Sequence, residues 1–162
     1  MLNGKEDMKI IIGSDHRGYQ LKEDIKNYFA TCPKDLLGQD DFVKWNDIGS
    51  FSKERSDYPV FAKQLCSLIL QKQAEFGILI CGSGIGMSIA ANRHKGIYAA
   101  LCWQEALANV ARIDDGANVL VLSSDFISKE DNIKIVIAMI QMWLKNDSLK
   151  ERYQKRLEML DK

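Results

Sequence analysis

The chain has 162 residues, 46% of them hydrophobic and 27% charged, with a formal net charge of zero. That length makes one domain with a sizeable core. Balanced charge removes the electrostatic case for a nucleic-acid or membrane surface, and no apolar run approaches the roughly 18 residues that span a bilayer.

Residues 1–8 read as a flexible lead-in that lacks the apolar stretch of a signal peptide, and 9–162 as a single domain. Lys9 to Gly13 (KIIIG) reads as a buried strand. Gly18 to Ala30 reads as a helix, with Tyr19, Leu21, Ile25, Tyr28 and Phe29 as its apolar stripe. A polar loop, Thr31 to Asp41, leads to a weaker strand, Val43 to Ile48. The next helix starts at Pro59, a favoured first helical position, with Asp57 near the cap, and runs to about Gln73.

Phe76 to Cys81 is the third strand, and a short helix, Gly86 to Ala91, follows it. Ile97 to Cys102 is the fourth strand, followed by a helix from Gln104 to Ile113. Asn118 to Leu122 is the fifth strand, and Ser128, as a cap, opens a long helix to Leu144. Asn146 and Asp147 interrupt the pattern before a last helix, Ser148 to about Leu160. Strands alternating with helices predict an α/β fold: a three-layer, doubly wound, Rossmann-like sheet of five parallel strands, helices on both faces, and an extra C-terminal helix. Ligands of such sheets bind beyond the carboxyl ends of the strands.

The four cysteines, Cys32, Cys66, Cys81 and Cys102, have neither C-x-x-C spacing nor a neighbouring histidine cluster. No metal site is therefore expected, and a reducing cytoplasm fits best. Cys66 and Cys102 read as small buried thiols.

The most informative stretch is Phe76 to Asn92, FGILICGSGIGMSIAAN. A buried strand opens through Gly82, Gly84 and Gly86 onto a helix start. Without Cβ atoms, backbone N–H groups can point at an anion, and the helix dipole favours negative charge. The loop is neither a Walker A sequence nor G-x-G-x-x-G, because Met87 holds the last glycine place. A small anion, such as an enediolate oxygen, a carboxylate or a phosphate, fits it better than a nucleotide. Cys81 sits at the rim, where N–H dipoles are expected to lower its pKa, and Ser83 can donate a proton or a hydrogen bond. The alternative is a close-packed turn beside a core cysteine.

Two further clusters stand out. Gly13-Ser14-Asp15-His16-Arg17-Gly18 crowds a carboxylate, an imidazole and a guanidinium into one turn. Asp15 can orient a sugar hydroxyl and His16 can donate to a phosphate, or the pair is a helix cap beside a surface histidine. Arg152 and Arg156 share one helix face, and two guanidiniums can hold a phosphate or simply face solvent. The stripe Leu149, Tyr153, Leu157 and Leu160 beside them calls for a partner surface.

Together these residues resemble the ribose-5-phosphate isomerase B family, which includes the subunits of galactose-6-phosphate isomerase. The matching motifs are Gly13 to Gly18 with Leu21-Lys22, Arg55-Ser56-Asp57-Tyr58-Pro59, Ile80 to Gly86 with Ala90-Ala91-Asn92, and Ala117-Asn118-Val119-Leu120. The likeness runs from Lys9 to about Leu160. It implies cofactor-free isomerisation of a small-molecule sugar phosphate, ribose 5-phosphate to ribulose 5-phosphate, in a homodimer or homotetramer with sites built across the interface. Cys81 matches the family's base, since the glutamate some members use would stand at Met87. Ser83 matches the residue that assists proton transfer. The N–H groups of Gly82, Ser83, Gly84, Ile85 and Gly86 match the enediolate site, where a donor is commonly worth about 3–4 kcal/mol. Asp15 matches a sugar contact, His16 a phosphate contact, and Arg152 and Arg156 phosphate-binding arginines.

Two positions depart from the pattern. Asp114 and Asp115 stand where the family usually has a ring-opening His-Asn pair, and Asp125 stands where another phosphate-binding arginine is typical. A buried carboxylate can still shuttle a proton, so Asp114 is the expected ring-opening group and Asp115 a substrate contact. An isomerase for another sugar, such as a hexose 6-phosphate, and a non-catalytic sugar-phosphate-binding subunit are the alternatives.

Overall fold

The computed structural model describes residues 8–32, 43–127, 132–145 and 151–161. Five strands, β1 (Met8–Ser14), β2 (Val43–Asp47), β3 (Phe76–Cys81), β4 (Ala99–Leu101) and β5 (Val119–Ser123), form one parallel sheet in the order β2-β1-β3-β5-β4. Six helices accompany them among the described residues: α1 (Tyr19–Thr31), α2 (Tyr58–Leu70), α3 (Ile85–Ala91), α4 (Glu105–Ile113), α5 (Asn132–Lys145) and α6 (Glu151–Leu160). Met8, expected in the lead-in, already belongs to β1. The expected cap Ser128 and the interruption at Asn146-Asp147 lie outside the described residues.

β1, β3 and β5 are the central strands, and from Ile10 to Ile12, Phe76 to Cys81 and Val119 to Ser123 every residue is buried. Neither face meets water, so these strands read as continuous apolar runs rather than alternating ones. Side-chain alternation then sorts the core into two layers. Ile10, Ile12, Ile78, Ile80, Leu120 and Leu122 pack under α1, α4 and α5, with Trp143 at the centre. Ile11, Leu79, Cys81, Val119 and Val121 pack under α2 and α3.

Several boundaries differ from expectation for identifiable reasons. α2 stops at Leu70 because Lys72 takes a φ of +58° and returns its N–H to Ile69. β4 is only three residues long, since the Tyr98 N–H is taken by the Asn118 side chain instead of a ladder partner. Lys22, unmarked by the apolar pattern, is fully buried on α1. It donates to Asp47 at 2.5 Å and to Glu23 at 3.0 Å, and lies over the Phe51 and Tyr19 rings. No described helix is long and apolar enough to cross a membrane.

Candidate active site

The carboxyl ends of β1, β3 and β5 meet at one loop cluster. The register places Ser14 beside Ile80 and Cys81 beside Ser123. The β5 turn grips the start of the glycine loop: Ser124 N–H donates to the Cys81 carbonyl at 3.0 Å, Asp125 N–H to the Gly82 carbonyl at 3.0 Å, and Ser123 Oγ to the same carbonyl at 2.7 Å. With those carbonyls committed, the loop's free capacity is its N–H groups. Those of Ser83 and Gly86 take no partner among the described residues. Gly84 adopts a φ of +77°, a left-handed conformation that suits glycine, and its N–H donates to Cys81 Sγ at 3.2 Å. Ser83 Oγ accepts the Ile85 N–H at 3.3 Å.

Cys81 is buried, pointing into the layer beneath α2 and α3 beside Met87. The expected lowering of its pKa is a correction. Burial raises the thiol above its ordinary value, and the nearby carboxylates of Asp15 and Asp125 add to that. The N–H groups of Met87 and Gly84 oppose the rise without reversing it. Met87 itself is wholly buried and fills core.

On the β1 side, Asp15 is buried and its Oδ1 accepts the N–H groups of Arg17 and Gly18, both at 3.0 Å. It builds the turn that leads into α1, whose N-cap is Gly18 rather than Asp15. Gly18 is needed there for space: a Cβ would sit 2.5 Å from the Ile80 carbonyl oxygen. His16 is anchored by a residue that sequence reasoning left without a role, Ser56. The His16 N–H donates to Ser56 Oγ at 3.0 Å, and Nδ1 lies 3.2 Å from the Ser56 N–H and 3.1 Å from its carbonyl. In the tautomer where Nδ1 accepts, Nε2 carries the ring proton and is the remaining donor. Gly86 is pressed by Tyr58, whose Cζ would lie 2.8 Å from a Cβ there.

The remaining expected residues lie elsewhere in this chain. Asp114 ends α4, which returns from the carboxyl end of β4 to the amino end of β5. There the Asn118 carbonyl accepts the Gly77 N–H, and about 13 Å of strand separates Gly77 from Cys81. Asp114 is half-buried and Asp115 exposed, at the opposite end of the sheet from Cys81. Arg152 and Arg156 come together over one ring, their guanidinium carbons 4.5 and 5.4 Å from the Tyr153 centroid, and both are exposed. Neither contacts the glycine loop among the described residues. α6 is tied down at its end, where Asp161 accepts the Gly96 N–H at 3.2 Å and the Tyr98 hydroxyl. Of the expected stripe, Tyr153 and Leu157 are buried, Leu160 is exposed, and Leu149 lies outside the described residues.

Two hollows flank the loop. One of about 660 Å³ is lined by Arg17, Gln20, Asp24, Ser124 and Asp125. The other, about 480 Å³ and mostly apolar, is lined by Ser83, Ile85, Leu101, Trp103 and Phe126. Among the described residues no group of three His, Cys, Asp or Glu side chains converges where a metal ion could sit.

Comparison with known proteins agrees with this architecture. Residues 10–160 match the family model described as Ribose/Galactose Isomerase. Ribose-5-phosphate isomerase B of Escherichia coli is 33% identical over 150 residues, covering 93% of this chain and 92% of that protein. The crystal structure of a ribose 5-phosphate isomerase from Thermotoga maritima superposes with a TM-score of 0.84 at 38% identity, covering 95% of this chain and 97% of that one. Ribose-5-phosphate isomerase B from Mycoplasma genitalium with bound ribulose-5-phosphate gives 0.80 at 34% identity, covering 94% and 93%. With its sequence matched from the first strand to the last helix and its fold superposable at this level, the chain belongs to the ribose-5-phosphate isomerase B family of ribose/galactose isomerases.

Proposed function

We propose that the chain interconverts ribose 5-phosphate and ribulose 5-phosphate through a cis-enediolate, with Cys81 as the base. One observation carries this reading: the Cys81 thiol and the unpartnered N–H groups of Ser83 and Gly86 share one loop at the carboxyl end of β3. The Cys81 thiolate takes the proton from C2 of the open-chain aldose, leaving negative charge on O1, which the N–H groups of the Gly82–Gly86 loop stabilise. Ser83 Oγ passes the O2 proton to O1, and the thiol returns its proton to C1, giving the ketose.

Asp15 is the sugar-side contact and His16 Nε2 a phosphate donor. Asp114 opens the sugar ring, Asp115 contacts substrate, and Arg152 with Arg156 holds the phosphate. Because Asp114 and Asp115 lie at the far end of the sheet from Cys81, a partner copy supplies these four residues. The exposed apolar side chains Ile85, Ile89, Trp103 and Phe126 beside the loop support an association there, and a homodimer is the smallest assembly that completes the site. Four free cysteines suit a reducing compartment such as the cytoplasm.

The test is turnover of ribose 5-phosphate by the purified protein beside Cys81→Ala. The expected result is activity in the first and none in the folded second. Activity retained without the thiol removes Cys81 as base. A second reading, an isomerase of another sugar phosphate or a binding subunit, draws on the carboxylates at Asp114, Asp115 and Asp125. Folded protein inactive on ribose 5-phosphate favours it, and a substrate panel separates its two forms.

A further inference from the structure

Arg17 and Asp125 are 108 positions apart, yet they meet over Gly82. Arg17 Nη2 pairs with Asp125 Oδ2. The guanidinium lies against the Gly82 backbone, where a Cβ would come within 2.6 Å of Nε, 2.8 Å of Cζ and 2.8 Å of Asp125 Oδ2. The missing side chain at Gly82 is what admits the pair to the loop. The backbone beneath Arg17 is fixed at both ends: its N–H donates to Asp15 Oδ1, and its carbonyl accepts Ser124 Oγ at 3.1 Å.

The pair adds little to stability. The Arg17 side chain is 58% exposed and that of Asp125 35%, and solvent screens an ion pair so placed. Its place is more telling. Among the described residues, Arg17 is the one cation on the turns that follow β1, β3 and β5, and those turns also carry Asp15 and Asp125. An anionic substrate arriving at Cys81 meets both carboxylates. A guanidinium binds planar carboxylate and phosphate oxygens alike, and a phosphate dianion offers it more charge than Asp125 does.

We propose that Arg17 is a further substrate-binding residue: a guanidinium that Asp125 holds ready at the mouth of the glycine loop and that the substrate's phosphate takes over on binding. This rests on the isomerase reading given above. Asp125 thereby places the cation that the loop cluster needs instead of supplying one itself.

Steady-state kinetics with ribose 5-phosphate, and inhibition by inorganic phosphate, are to be measured for the protein, for Arg17→Ala and for Arg17→Ala/Asp125→Ala. Both side chains are solvent-facing, and circular dichroism checks that the variants fold. Arg17→Ala is expected to raise KM and the phosphate inhibition constant about tenfold, as for a lost charge-assisted hydrogen bond, with the loss on KM rather than kcat. The double variant is expected to stay weak, about fivefold or more above the parent. If removing Asp125 as well restores parental constants, Arg17 is only a counter-charge and the proposal fails. It fails too if Arg17→Ala changes neither constant. Should the parent not turn over ribose 5-phosphate, the isomerase reading fails by itself. Calorimetric binding of inorganic phosphate then decides for Arg17: binding lost in Arg17→Ala supports it, and binding that is absent or independent of Arg17 overturns it.

Discussion

The Gly84 N–H donates to Cys81 Sγ at 3.2 Å, from a backbone turned to a φ of +77°. The loop thus lends the thiol a dipole, but burial and the carboxylates of Asp15 and Asp125 still leave its pKa above the ordinary value. A thiol with a raised pKa, acting as the proposed base, is mostly protonated at neutral pH. kcat/KM is therefore expected to climb through neutrality into the alkaline range, following thiolate formation in the free enzyme. A profile already flat at neutral pH would count against Cys81 as the group that titrates.

Gly84→Ala bears on the same bond. Its Cβ would overlap Leu101 Cδ1 and would strain a left-handed residue. The variant is expected to move the inflection of that profile to higher pH, because the turn can no longer hold its N–H on sulfur. An unchanged inflection would show that burial alone sets the thiol.

Gly18→Ala attacks the site from the β1 side. Gly18 has a φ of −83°, which any residue adopts, so the obstacle is purely steric: the Ile80 carbonyl oxygen lies 2.5 Å from the new Cβ. That oxygen also accepts the Asp15 N–H at 3.2 Å. A destabilisation of about 3 kcal/mol is expected by urea unfolding, the upper range for overpacking. Activity should fall with it, since Ile80 adjoins Cys81. A variant as stable as the parent would mean that α1 can back away from β3.

Lys22 makes a different prediction. Burial alone would raise the Asp47 carboxyl, but hydrogen bonds from Lys22 and Lys26 outweigh it and hold it below its ordinary value. The folded state prefers the ionised carboxylate, so this contribution is present above the unfolded pKa, near 4, and is lost as pH falls through the folded value. Lys22→Met keeps most of the volume and removes one partner of a buried charge. It is expected to cost about 3 kcal/mol at neutral pH, and less in acid, where the parent has lost the pair as well. A cost independent of pH would point to packing instead.

The central strands and the glycine loop were legible because both are local: a continuous apolar run, then alternate glycines. The pKa of Cys81 was misjudged because sequence shows the N–H groups beside it and hides the depth and the carboxylates that oppose them. Ser56 against His16 and Asp125 against Arg17 join residues 40 and 108 positions apart, and nothing local marks either pairing. Lys22 broke the apolar stripe of α1 by hiding a cation whose partners, apart from Tyr19 and Glu23, come from β2 and the loop after it.

The expected site is divided between the two ends of one sheet, with Cys81 at the carboxyl end and Asp114 at the amino end, and that division has a genetic consequence. On the shared-site reading proposed above, a chain lacking Cys81 and a chain lacking Asp114 would each be inactive alone, because each site would then draw one group from each subunit. Refolded together, the two form mixed dimers in which one site inherits both defects and the other inherits neither. With random pairing, half the dimers are mixed and half of their sites are whole. Two dead alleles should therefore complement to about a quarter of parental activity, the signature of a site shared between copies.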